Sequence, residues 1–186
     1  LAGLPALVWS LSHGLPLAGD SLAVGLPLYY GFSLLVAMIH ELGHAFAVKA
    51  YGRVVRRGGL SIFYGSPALF VDTQDIWMEP RRARMVVSWA GPYSGFILAG
   101  ATGLAAVALG EGNGRTVLLT LGLSSVALNL FQLMPLIQLD GYYMVMDWLE
   151  MPNLRPRALG FVRHELLRKL GSEIAPTETG SIEARR

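Results

Sequence analysis

Residues 36–48 read VAMIHELGHAFAV: two histidines and a glutamate among residues that otherwise suit the inside of a lipid bilayer. The run around them, Ser21 to Val48, holds one carboxylate, Glu41, and exceeds the about 20 apolar residues a helix needs to cross a membrane. Composition agrees with a membrane protein. The 186 residues are 53% hydrophobic and 15% charged, with a mean hydropathy of +0.45, against roughly a quarter charged in soluble domains. A net charge of +2 gives no reason to expect nucleic acid as a partner. The absence of cysteine excludes disulfides and thiolate-bound metals and leaves the redox compartment open.

Two more uncharged runs are long enough to span, Met85 to Gly110 and Thr116 to Leu139. Leu1 to Ala18 is interrupted by Pro5, His13 and Pro16 and has no basic start like that of a signal peptide; it reads as a fourth span or as an interfacial segment. Leu1 in place of methionine points to a processed chain or a piece of a longer one. The expected architecture is an all-α membrane protein with three core transmembrane helices, a fourth N-terminal one if Leu1–Ala18 spans, and a short membrane-associated β-hairpin. The hairpin is placed at 58–71, GGLSIFYGSPALFV, where β-formers flank Gly65-Ser66-Pro67 in a run too short to span as a helix.

Basic residues orient the spans. Lys49, Arg53, Arg56, Arg57, Arg81, Arg82 and Arg84 lie between the first and second long runs, and Arg155, Arg157, Arg163, Arg168 and Lys169 follow the last. The positive-inside rule puts 49–85 and the C-terminus in the cytoplasm. Residues 1–150 then form the transmembrane core, 151–170 an amphipathic basic helix on an anionic leaflet, and 171–186 a polar disordered tail. Gly91, Gly95, Ala99 and Gly103 recur every four residues, a stripe that lets a neighbouring helix come close.

Residues four apart share a helix face, so His40 and His44 can hold one zinc ion with Glu41 beside it. Zinc brings a bound water's pKa to about 7, and Glu41 is placed to take its proton. His-Glu-x-x-His is the metalloprotease signature. Packing alone would struggle to satisfy three ionisable groups within five positions of a membrane span. Gly43, between them, leaves room for a helix or a substrate backbone to approach. A catalytic zinc takes a third protein ligand. Ala47 and Ala50 stand where a metzincin would continue the motif, and no glutamate follows about twenty residues on. The candidates are Asp72, Asp75, Glu79, Asp140, Asp147, Glu150 and His164. Asp140, at the inner end of the last span, is the one that matches the depth of the histidines.

HELGH in a membrane helix, AGPYSG at 90–95, and Pro135 followed by Leu139-Asp140-Gly141 resemble the site-2 proteases, a family of intramembrane zinc metalloproteases. The stretches YGSPALFVDTQDIWMEPRRARMVVSWAGP (64–92) and LDGYYMVMDWLEMPNLRPRAL (139–159) look like its bacterial peptide zinc metalloprotease branch, and the likeness runs from about residue 30 to 165. It implies three core helices, a membrane-inserted hairpin, zinc on His40, His44 and Asp140, Glu41 as general base, and an active site opening toward the cytoplasm. It also implies a transmembrane protein or peptide substrate cut within the bilayer of a bacterial cytoplasmic membrane. One position departs. Where the family carries an asparagine thought to hold substrate or the oxyanion, this chain has Gln132, with Asn129 one turn earlier. The rival readings are a non-proteolytic zinc-binding membrane scaffold and, against the lack of internal repeats, a metal transporter.

Overall fold

The computed structural model describes residues 22–63 and 66–169. The first helix, α1, runs Leu22–Ala50. A hairpin follows, β1 Gly58–Phe63 and β2 Ser66–Val71, then a 3₁₀ turn at Gln74–Met78. After it come α2 Arg81–Ala108, α3 Asn113–Gln132, α4 Asp140–Trp148 and α5 Leu154–Lys169. The protein is an all-α membrane protein carrying one small antiparallel sheet. Among the described residues, three helical segments are long and apolar enough to cross a membrane: Pro27–Ala50, Arg81–Ala108 and Asn113–Gln132. Residues 1–18 and 171–186, assigned above to a span or interfacial segment and to a tail, lie outside the described residues.

The pattern of burial suits a lipid solvent. Phe46, Ile97, Leu104 and Leu130 are exposed, whereas Ala99, Ala106, Thr102, Ser124, Ser125 and Asn129 are buried. With lipid as apolar as leucine, helices gain by packing closely through small residues rather than by hiding large ones. The stripe on α2 does this in part. A side chain at Gly95 would run into the Asn129 carboxamide of α3, and Thr102 Oγ1 lies where a Cβ on Gly122 would sit. These two contacts place α2 and α3 antiparallel. Gly103, by contrast, faces open space.

α1 ends in a Schellman arrangement. Gly52 is left-handed at φ 71°, its N–H bonds the Lys49 carbonyl at 2.9 Å, and the Arg53 N–H bonds Val48 at 3.1 Å. The chain then turns back so that β2 packs along α1. In the ladder, Gly58 faces Val71 and Phe63 faces Ser66, and the Asp72 N–H bonds the Arg57 carbonyl at 2.8 Å. Bonded and non-bonded pairs alternate in an antiparallel ladder, so the Val71 N–H points away from β1. Pro67, which has no N–H to give, falls on the same non-bonded set.

Two boundaries differ from those read from hydropathy. α2 begins at Arg81 because Pro80, extended at ψ 155°, caps it and draws Arg81, Arg82 and Arg84 into its first turn. The run Thr116–Leu139 is not one helix. α3 stops at Gln132, since Pro135 disfavours helix at the residue before it and supplies no N–H, and Leu139 is extended at ψ −174°. Contacts divide the chain after Glu150, leaving α5 in a second unit from Met151. Within that unit Leu159, Phe161 and Val162 are exposed.

Candidate metal centre

The break after α3 puts Asp140 on the first turn of α4, 96 residues beyond His44 in sequence. Its carboxylate meets both histidines of α1: Oδ2 lies 2.9 Å from His40 Nε2, and Oδ1 lies 3.3 Å from His44 Nε2. The two Nε2 atoms are 3.1 Å apart. His40 and His44 are buried, at 5% and 7% exposure. One ligand atom from each of the three residues lies within 4.8 Å of the others.

The protonation pattern follows from the neighbours. His44 Nδ1 is 2.7 Å from the Val87 carbonyl of α2. A carbonyl only accepts, so Nδ1 carries the proton and the neutral ring's Nε2 presents a lone pair to the centre. A backbone carbonyl on the far nitrogen is the usual support of a metal-binding imidazole. Asp140 Oδ2 is buried and, despite its closeness to His40, makes no well-directed hydrogen bond. Separations of 2.9–3.3 Å are close to the edges, about 3.3 Å, of a tetrahedron with arms of about 2.0–2.1 Å. Two imidazoles and a carboxylate also suit a borderline divalent ion. The residues present fit zinc.

α2 forms the wall behind the pair. A Cβ at Gly91 would lie 2.7 Å from His40 Nε2 and closer still to His44, so a glycine is required there. Gly43 of α1 faces α2 in turn, where a Cβ would fall 2.6 Å from the Ala90 carbonyl and 2.7 Å from Ser94 Oγ. Ser94 Oγ, with one proton to give, lies 2.7 Å from the Gly91 carbonyl of its own helix and 3.0 Å from the Ile39 carbonyl across this crossing. The room left by Gly43 is thus taken by a neighbouring helix. Gly141, next to Asp140, lies against the Leu133 backbone, which folds the end of α3 onto the start of α4.

Glu41 is half-buried beside the triad, and Val71 of β2 lies near its carboxylate. Asn129 is buried at 1% exposure and its Nδ2 donates to the Ser125 carbonyl at 2.8 Å. Gln132 lies one turn nearer Asp140, its Oε1 buried without a hydrogen-bond partner. The other acids stand elsewhere. Asp72, Asp75 and Glu79 pair with Arg57, Arg56 and Arg53, Asp147 and Glu150 pair with Arg84 and Arg81, and His164 lies on α5.

Fold and centre together define a membrane protein with a His-Glu-x-x-His helix and a distant aspartate gathered into one candidate metal site. No protein-family model matches the chain, and no solved structure matches it. A curated relative does: the "Putative peptide zinc metalloprotease protein YydH" of Bacillus subtilis (strain 168) is 23% identical over 134 residues. The aligned region covers 67% of this chain and 52% of the relative, so the chain spans about half that protein's length. This similarity supports a metalloprotease-like relationship.

Proposed function

We propose that the protein is an intramembrane zinc metalloprotease of the site-2 type, hydrolysing peptide bonds of membrane-embedded substrates. The observation that carries this is the convergence of His40, His44 and Asp140 on one point beside Glu41. A zinc ion held by those three residues supplies Lewis acidity, polarising the scissile carbonyl and acidifying water. Glu41 takes a proton from the attacking water as its oxygen bonds to the carbonyl carbon. When the C–N bond breaks, Glu41 returns the proton to the leaving amine. The His44 ring is held in its binding tautomer by Val87. Of the two amides, Gln132 is the better oxyanion donor. The Asn129 amide already serves Ser125.

An extended substrate fits the free edge of β2, where Val71 stands over Glu41, by strand addition. A substrate helix must unwind to be cut, and a strand edge offers the freed backbone its hydrogen bonds. The described residues up to Glu150 form the protease core, and the helix Leu154–Lys169 is a basic helix for the inner leaflet. The basic residues from Lys49 to Arg84 support an opening toward the cytoplasm of a bacterial membrane. Glu41→Gln tests the mechanism. Zinc content should stay at the wild-type level while cleavage of a membrane-anchored substrate in proteoliposomes drops to background; continued cleavage removes Glu41 as the base.

A further inference from the structure

α4 has only nine residues, yet it must deliver the Asp140 carboxylate to within a few tenths of an ångström of the right place, the tolerance of metal–ligand bonds. Apolar burial of Tyr142 and Met146 holds it against the bundle, but such packing is non-directional and allows a short helix to slide. A directional contact lies at its other end. Asp147, 4% exposed, accepts from Arg84 Nε of α2 at 2.7 Å. The guanidinium is itself fixed: its Nη1 donates to the Glu79 carbonyl at 3.0 Å, and it lies 5.4 Å from the centre of the Trp77 ring.

The positions of these groups are matched. Asp140 and Asp147 are seven residues apart on α4, and Arg84 and Gly91 are seven apart on α2. Seven residues are almost two full turns, about 10.5 Å of rise, so each pair shares a helix face. The two helices run antiparallel with Arg84 opposite Asp147. Gly91, against which both imidazoles lie, stands opposite Asp140. One rung therefore sets the height of the other. A slip of one residue along the axis would carry Asp140 about 1.5 Å from the histidines.

We propose that the Arg84–Asp147 pair is a positioning device that sets the register of α4 on α2 and so holds Asp140 at the His40–His44 pair. This rests on the reading of those three residues as metal ligands. Neither Arg84 nor Asp147 touches the site, so both are positioning residues.

The test uses the full chain in detergent micelles, with Zn²⁺ affinity from chelator competition and Co²⁺ as a visible probe of ligand number. Asp147→Ala should bind Zn²⁺ about 10–100-fold more weakly, as loss of supporting partners does at metal sites, with cobalt bands shifted toward those of Asp140→Asn. Asp147→Asn keeps the volume and should show the same shift, which decides the matter where the alanine variant does not fold. Arg84→Lys keeps the charge but not the fork that also reaches Glu79, and should fall between wild type and Asp147→Asn. Folded Asp147 variants with wild-type Zn²⁺ affinity and wild-type cobalt bands would overturn the proposal. If wild type and Asp140→Asn bind Co²⁺ alike, the metal centre itself is wrong and the register role goes with it.

Discussion

Asp140 and Asp147 project from one face of the same short helix, and both are largely withdrawn from solvent, at 18% and 5% side-chain exposure. Asp147 faces a guanidinium, which is charged at every relevant pH, so its negative charge is balanced by the protein itself. Asp140 faces two imidazoles, one of them held with its lone pair toward the carboxylate by the Val87 carbonyl. With both rings neutral that group carries a net negative charge inside a poorly solvated wall, an expensive arrangement unless a cation joins it. Along a single helix this separates a carboxylate paired with a permanent cation of the fold from one that belongs to the candidate metal site.

Removing the unbalanced charge should have the largest effect. Asp140→Asn keeps the side chain's size and takes away the anionic ligand. Zinc affinity should fall more than about a hundredfold, beyond the loss expected from a merely supporting partner, and cleavage should reach background; metal analysis of purified protein checks the first. Full zinc occupancy in this variant would erase the distinction between the two aspartates.

A smaller effect separates two glycines of one stripe. Gly91→Ala drives a methyl group into both imidazoles. Overpacking of this kind destabilises by about 1–3 kcal/mol, and the ligands can relieve it only by moving apart, so zinc should be lost along with thermal stability. Gly103→Ala meets nothing within 4 Å. It should leave zinc untouched and hold or raise the melting temperature, since alanine favours helix by about 1 kcal/mol. Equal behaviour of the two variants would reduce Gly91 to an ordinary packing position.

The HELGH pair is legible because its two histidines are local: four residues of spacing bring both to one face of an apolar helix. Asp140 was readable from its depth at the end of an uncharged run, although hydropathy alone could not see that the run breaks at Gln132. The break depends on Pro135 and on the fold of Gly141 against Leu133, which leave no trace in apolar content. Gly91 gave a true but partial signal. Its four-residue period announced close packing, and nothing in that period says that histidines rather than a neighbouring helix fill the gap. Arg84 and Asp147 were hidden altogether. In sequence one belongs to an orienting basic cluster and the other to a pool of candidate ligands, and a contact across 63 positions has no local period.

The smallest predicted effect concerns a third rung on the same seam. Arg81 Nη1 meets Glu150 Oε1 at 2.9 Å, three residues outward from Arg84 on α2 and three beyond Asp147 in sequence, where Glu150 stands just past the end of α4 with a left-handed φ of 54°. It continues the line of the buried pair beyond the helix, in more open surroundings. The side chains are 48% and 65% exposed, so water screens the attraction and two long side chains lose freedom in making it. Such pairs contribute about 0–1 kcal/mol. Arg81→Ala should therefore shift thermal unfolding little and leave Zn²⁺ affinity within about twofold of wild type, a change worth less than about 0.5 kcal/mol. A loss comparable to that of Asp147→Asn would mean that the whole seam, and not its buried rung, sets the height of Asp140.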